Sequence, residues 1–223
     1  MFFQLLASAP ASALVWIVVI VLSLTIHEFA HAYVGQIKGD RTAESMGRLT
    51  LNPLAHIDLI GFIPLLLFGF GWAKPVPFNP YNLKDPKKDS VHIALAGPLS
   101  NLIVAVLSAV ALRVVVGTGF GAGSLLEVFL ILLVIINLFL LLFNIIPIHP
   151  LDGSKLVDAL LTKPEHAKLR VAIATYGPQV LMALVLISIF TSINVFFFIS
   201  VPAFVACDVM VGESCNALLL GVF

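Results

Sequence analysis

The sequence predicts an all-α integral membrane protein, and three observations carry that prediction. First, 60% of the 223 residues are hydrophobic and only 11% are charged, whereas soluble domains carry roughly 25% charged and 45–50% apolar residues. The mean hydropathy is +1.10, so the chain lacks the polar surface that water demands. Second, apolar stretches of about 20 residues, the length that crosses a bilayer, recur along the chain. Third, the polar connections between them are Pro-rich and hold nearly all the basic residues. The expected architecture is about five transmembrane helices. The first three form a core, and a short re-entrant or β-hairpin segment follows the first helix.

The first span covers residues 13–36. It is too long for the apolar part of a signal peptide, and no basic segment precedes it, so it reads as a retained helix. A polar stretch follows over 38–58. The apolar run 59–70 is short and broken by Gly61, Pro64 and Gly69, with Gly71 just beyond. Such a run enters a membrane without crossing it, provided that protein buries its backbone polar groups. The second span covers 91–116 and the third 125–146, with Gly117, Gly119, Gly121 and Gly123 marking the turn between them. Pro147 and Pro150 end the third. The fourth span covers 171–190 and the fifth 195–211, joined by a tight hairpin around 192–194.

If the first span runs from outside to inside, every Lys and Arg except Arg113 falls on the inner side. The positive-inside bias therefore assigns an outside N-terminus, and five spans then imply an inside C-terminus. No internal repeat and no separate soluble domain is visible. One membrane-embedded domain, 1–223, is expected, with its core over 13–155 and its C-terminal helices over 171–211. Net charge is zero, so no basic face points to nucleic acid. Cys207 and Cys215 are too few for a disulfide scaffold and lack a zinc-finger spacing. They read as apolar packing residues.

The inner end of the first span contains His27-Glu28-Phe29-Ala30-His31. Residues i and i+4 share a helix face, so His27 and His31 can grip one metal ion, and Glu28 can act on a water beside it. Ionisable side chains at membrane depth cost roughly 2.5–3.5 kcal/mol each on insertion scales. A metal supplies the compensating interaction that a polar helix end hydrated at the interface would otherwise have to find. A catalytic zinc takes three protein ligands and keeps one position open. The third span ends Asn144-Ile145-Ile146-Pro147-Ile148-His149-Pro150-Leu151-Asp152-Gly153. Asp152 can turn back from this broken segment as the third ligand, or it can cap a helix starting near Gly153. His149 is a rival ligand on the same grounds. Gly153 would permit an unusual backbone angle there.

These residues resemble the site-2 protease family of intramembrane zinc metalloproteases (M50 type). The resemblance rests on His27-Glu28-Phe29-Ala30-His31 and on Asn144, Pro147 and Pro150-Leu151-Asp152-Gly153, with Asn52-Pro53-Leu54-Ala55-His56-Ile57-Asp58 and Gly97-Pro98-Leu99-Ser100-Asn101 as further family-like patterns. It covers about 23–155 and implies a three-helix catalytic core. It implies that His27, His31 and Asp152 bind one Zn2+, that Glu28 is the general base, and that Asn144 positions substrate or oxyanion. It also implies a transmembrane or membrane-associated protein substrate met in the lipid bilayer at the cytoplasmic side. The form is that of a compact, prokaryotic-like member without PDZ or CBS extensions.

Within that expectation, the glycine-broken segment 59–71 could offer an edge to an extended substrate by strand addition. Asn52, His56 and Asp58 could line a water entrance, although His56 itself reads as a loop hydrogen-bonding residue. Ser100 and Asn101 read as helix-packing residues, because small residues let helices approach. Two other function classes fit an apolar chain with this motif. A metal or proton transporter would show paired broken helices, which the sequence lacks. An inactive scaffold would have no use for Glu28.

Overall fold

In a computed structural model of the chain, residues 2–119, 123–191 and 193–222 are described. Ten α-helices are found among them: α1 Phe2–Ser8, α2 Pro10–Ile37, α3 Thr42–Ser45, α4 Leu59–Phe68, α5 Pro86–Thr118, α6 Leu125–Asn144, α7 Ser154–Leu160, α8 Ala167–Phe190, α9 Phe197–Val211 and α10 Cys215–Val222. No strand is present among the described residues. Local chemistry sets most boundaries. Pro10 and Pro86 stand in the first turns of α2 and α5, where their missing N–H costs nothing. Asp58, Asp85 and Ser124 accept hydrogen bonds from the first turns of α4, α5 and α6. Gly69, Gly119 and Gly212 close α4, α5 and α9 in the left-handed conformation.

Four helical segments are long and apolar enough to cross a membrane: Pro10–Ile37, Pro86–Thr118, Leu125–Asn144 and Pro164–Phe190. The fifth expected span, α9, has 15 residues, about 22 Å at 1.5 Å per residue. That is shorter than the hydrocarbon core of roughly 30 Å. α2, α5 and α6 pack as a three-helix bundle. Its centre holds Ala13, Val19, Ala105, Ala109, Leu112, Ile131, Val134 and Leu138. The alanines matter, because in lipid close backbone approach replaces the hydrophobic effect as the source of packing energy.

Of the re-entrant and β-hairpin forms expected after the first helix, the strand pair is absent among the described residues: a helix followed by an extended return stands there. α4 rises, Gly69 turns the chain at φ 75°, and the return packs against the helix backbone to backbone. A Cβ on Gly61 would collide with the Trp72 carbonyl, and one on Gly71 would collide with the Gly61 carbonyl. The Trp72 indole N–H donates to Asp58 Oδ2 at 3.0 Å and ties the two limbs together. Because residues 59–68 are helical, they offer no edge for strand addition. Asn52 and Asp58 are spent on capping rather than on an entrance.

Two further expectations are corrected at the C-terminus. Cys207 and Cys215 form a disulfide, buried in the same apolar core as Leu112 and Val128. α9 also runs opposite to the expected direction. It lies antiparallel to α6, with Phe204 against Phe139 and Phe196 against Phe143. Its end at Gly212 meets the Arg113 guanidinium near the C-terminal end of α5. α9 therefore ends on the side away from the His27–His31 end of α2. The charge pattern could not foresee this, since no Lys or Arg follows Arg170. Of the expected turns, Gly121 and Ser192 lie outside the described residues.

Candidate metal centre

The His27–His31 motif sits toward the end of α2, with both imidazoles turned into the bundle. His27, Glu28 and His31 are all buried there. The break after α6 brings Asp152 to the same point. Ile145 and Ile146 leave the helix before Pro147, as expected where the residue preceding a proline avoids the helical region. The Gly153 N–H then donates to the Asn144 carbonyl at 2.7 Å and folds the segment back. Gly153 has ordinary helical angles, φ −57° and ψ −20°, so the expected unusual backbone angle is absent. Its requirement is steric, since a Cβ would strike the carbonyls of Ile145 and Ile146.

His27 Nε2 and His31 Nε2 lie 3.0 Å apart, and Asp152 Oδ2 is 3.2 Å from each. Four-coordinate zinc with bonds of about 2.0–2.1 Å separates its ligand atoms by ~3.3 Å, so this triangle has the dimensions of one face of such a site. Two further observations fit a cation. Asp152 Oδ2 is buried without a hydrogen-bond partner. The His31 Nδ1–H donates to the Ile93 carbonyl at 2.7 Å, which can only accept, so in the neutral ring the Nε2 lone pair faces His27 Nε2 and Asp152 Oδ2. Lone pairs converging in a buried space repel unless a cation lies among them. The space exists because α5 presents Gly97 there. A Cβ at Gly97 would stand 2.6 Å from His27 Nε2 and closer still to His31 Nε2.

The other expected residues are placed as follows. Glu28 Oε2 accepts from the Val76 N–H at 3.0 Å. Val76 belongs to the extended return, which is pinned on either side. The buried Arg48 guanidinium donates to the Lys74 carbonyl, and the Asn79 N–H donates to Asp40 Oδ2 at 2.7 Å. Asp40 is fully engaged, since Thr42 and Asn82 also donate to it. Burial alone would raise its pKa, but these hydrogen bonds outweigh that effect and hold it below the usual carboxylate value. The Asn144 side chain donates back to the Leu140 carbonyl at 3.0 Å and has no described bond to the triad. His149 pairs with Asp158 at 3.5 Å instead of joining the ligands. Asp152 does not cap α7, whose N-cap is Gly153 without a side-chain bond. His56 is the loop residue expected, donating from Nε2 to the Thr50 carbonyl at 2.8 Å.

The sequence reading missed the polar chain behind His27. Asn101 Oδ1 lies 2.5 Å from His27 Nδ1, so Asn101 does more than pack helices. Its amide meets Asn137, and Asn137 meets Ser23. All three are completely buried. The signal was available, because an amide inside an apolar span needs a partner.

Comparison with known proteins agrees with this geometry. The family model described as Peptidase family M50 matches residues 15–125 and 120–188. The chain belongs to peptidase family M50. This M50 chain is 40% identical over 182 residues to putative zinc metalloprotease YwhC of Bacillus subtilis (strain 168), covering 78% of the chain and 82% of that relative. It is 36% identical over 99 residues to putative zinc metalloprotease MJ0611 of Methanocaldococcus jannaschii, covering 44% and 49%. It is 28% identical over 183 residues to putative zinc metalloprotease Rip2 of Mycobacterium tuberculosis, covering 79% and 67%. No solved structure matches it. The M50 chain is thus a multi-pass membrane zinc metalloprotease of the site-2 type.

Proposed function

We propose that this peptidase hydrolyses peptide bonds in or near transmembrane segments of membrane proteins, with His27, His31 and Asp152 as zinc ligands and Glu28 as general base. The observation that supports this most is the 3.0–3.2 Å triangle of two imidazole nitrogens and a buried carboxylate oxygen. Bound zinc would supply Lewis acidity, lowering the pKa of a water toward about 7 and polarising a carbonyl. The chain supplies the rest. Glu28 Oε2 is held by the Val76 N–H, which leaves Oε1 to take the proton as water attacks the scissile carbonyl carbon. Glu28 then delivers that proton to the leaving amine. Buried surroundings strengthen these charge interactions relative to water.

The basic residues favour an outside N-terminus and a catalytic centre toward the cytoplasm. The disulfide supports the same orientation independently. It lies at the end of the bundle away from His27 and His31, and disulfides persist on the oxidising side of a membrane.

The test is to reconstitute wild type and Glu28→Gln and assay single-span substrates alongside zinc content. Glu28→Gln should keep its zinc and lose activity by about 10²–10⁴-fold, the range for a general base. Asp152→Ala should lose zinc. Unchanged zinc in Asp152→Ala would remove that ligand, and undiminished cleavage by Glu28→Gln would remove the base.

A further inference from the structure

The chain of amides behind His27 has a direction, and one backbone atom sets it. The Leu133 carbonyl can only accept, so the Asn137 atom beside it at 2.8 Å must be Nδ2. Asn137 Oδ1 then faces Asn101 at 2.7 Å and can only accept, so Asn101 must present its Nδ2. Asn101 Oδ1 is left facing His27 Nδ1 at 2.5 Å, so that nitrogen must carry the proton. In the neutral ring, the remaining His27 nitrogen, Nε2, is then the one with a free lone pair, and it is aimed at His31 Nε2 and Asp152. Ser23 accepts from the same Asn137 amide at 2.8 Å, but it lies off this path, since a hydroxyl can donate or accept and fixes nothing.

We infer that Asn101 and Asn137 are positioning residues that lock His27 in its metal-ready tautomer, with the Leu133 carbonyl as the origin of the polarity. This rests on the reading of His27, His31 and Asp152 as zinc ligands. It also explains two completely buried amides in apolar helices, where a half-satisfied polar group would be costly. His31 needs no such chain, because the Ile93 carbonyl does the same work in one step.

The experiment measures zinc affinity of the detergent-purified full chain by chelator competition, with thermal unfolding as the control for folding. Wild type should bind one zinc and His27→Ala should not; failure there would overturn the ligand reading itself. Given wild-type binding, Asn101→Leu should weaken zinc about 10–100-fold, as loss of a histidine's outer hydrogen-bond partner does. Asn101→Asp should restore it in part, because a carboxylate also accepts from Nδ1–H although it no longer donates to Asn137 Oδ1. Asn137→Leu, which lets the Asn101 amide turn over, should weaken it several-fold, and Ser23→Ala should not. Wild-type zinc affinity in a folded Asn101→Leu protein overturns the inference. So does an Asn101→Asp protein as weak as the leucine variant, or a Ser23→Ala protein as weak as Asn137→Leu. If Asn101→Leu does not fold, Asn101→Asp and Asn137→Leu decide on their own.

Discussion

At the scale of residues, the centre is defined as much by what is absent as by what is present. Gly97 is the clearest case. Helix propensity alone would favour alanine there by roughly 0.5–1 kcal/mol. The site forbids it, because the added Cβ would fall 2.6 Å from a ligand nitrogen. Gly97→Ala should therefore lose stability by about 1–3 kcal/mol through overpacking against the two imidazoles, despite its better helix propensity, and lower zinc affinity at least about tenfold. Equal zinc affinity in the two proteins, measured by chelator competition, would show that the space beside His27 and His31 is not the metal's. Glycine at position 153 likewise answers a demand for room rather than for a rare backbone angle, since its φ is −57°.

At the scale of elements, the extended return after α4 connects the catalytic helix to the polar loops. Its N–H groups and carbonyls are held by Glu28, Arg48 and Asp40 in turn. Pro75 and Pro77 between these anchors have no N–H to offer a competing strand. Asp40 makes this clasp sensitive to pH. Its folded pKa lies below its unfolded value of about 3.9, so the stabilisation is fully present above that value. It is lost as pH falls through the folded pKa, because protonation removes an acceptor that four donors share. Wild type should lose stability as pH falls below about 4, and Asp40→Asn should begin less stable and lose less over the same interval. Denaturation midpoints across that range check this; parallel curves for the two proteins would free Asp40 of the role.

At the scale of the whole molecule, the direction of α9 decides which face carries the C-terminus. Thiol reporters at Gly117, Lys163 and Glu213, each exposed, test it in a background with Cys207 and Cys215 replaced by alanine. An impermeant reagent applied to intact cells should label the reporters at 117 and 213 and spare the one at 163. Labelling of 117 alone, with 213 spared like 163, would restore the inside C-terminus. Labelling of 163 alone would invert the proposed orientation.

Much of this was legible in the sequence because the bilayer constrains so strongly. Spans of about 20 apolar residues declare themselves, and the His27–His31 spacing fixes a shared helix face whatever the rest of the chain does. Local chemistry also marked Pro147 and Pro150 as the break that frees Asp152. Three things depended on tertiary structure. Asp152 and His149 stand three residues apart in one broken segment, and only its fold through Gly153 turns the first toward the imidazoles and the second toward Asp158. Asn101 and Asn137 lie 36 positions apart, and no periodicity links side chains on different helices. The course of α9 was hidden for want of basic residues beyond Arg170, so its contacts with α5 and α6 set its direction. Sequence fixes what is local or imposed by the solvent, and packing decides which distant groups meet.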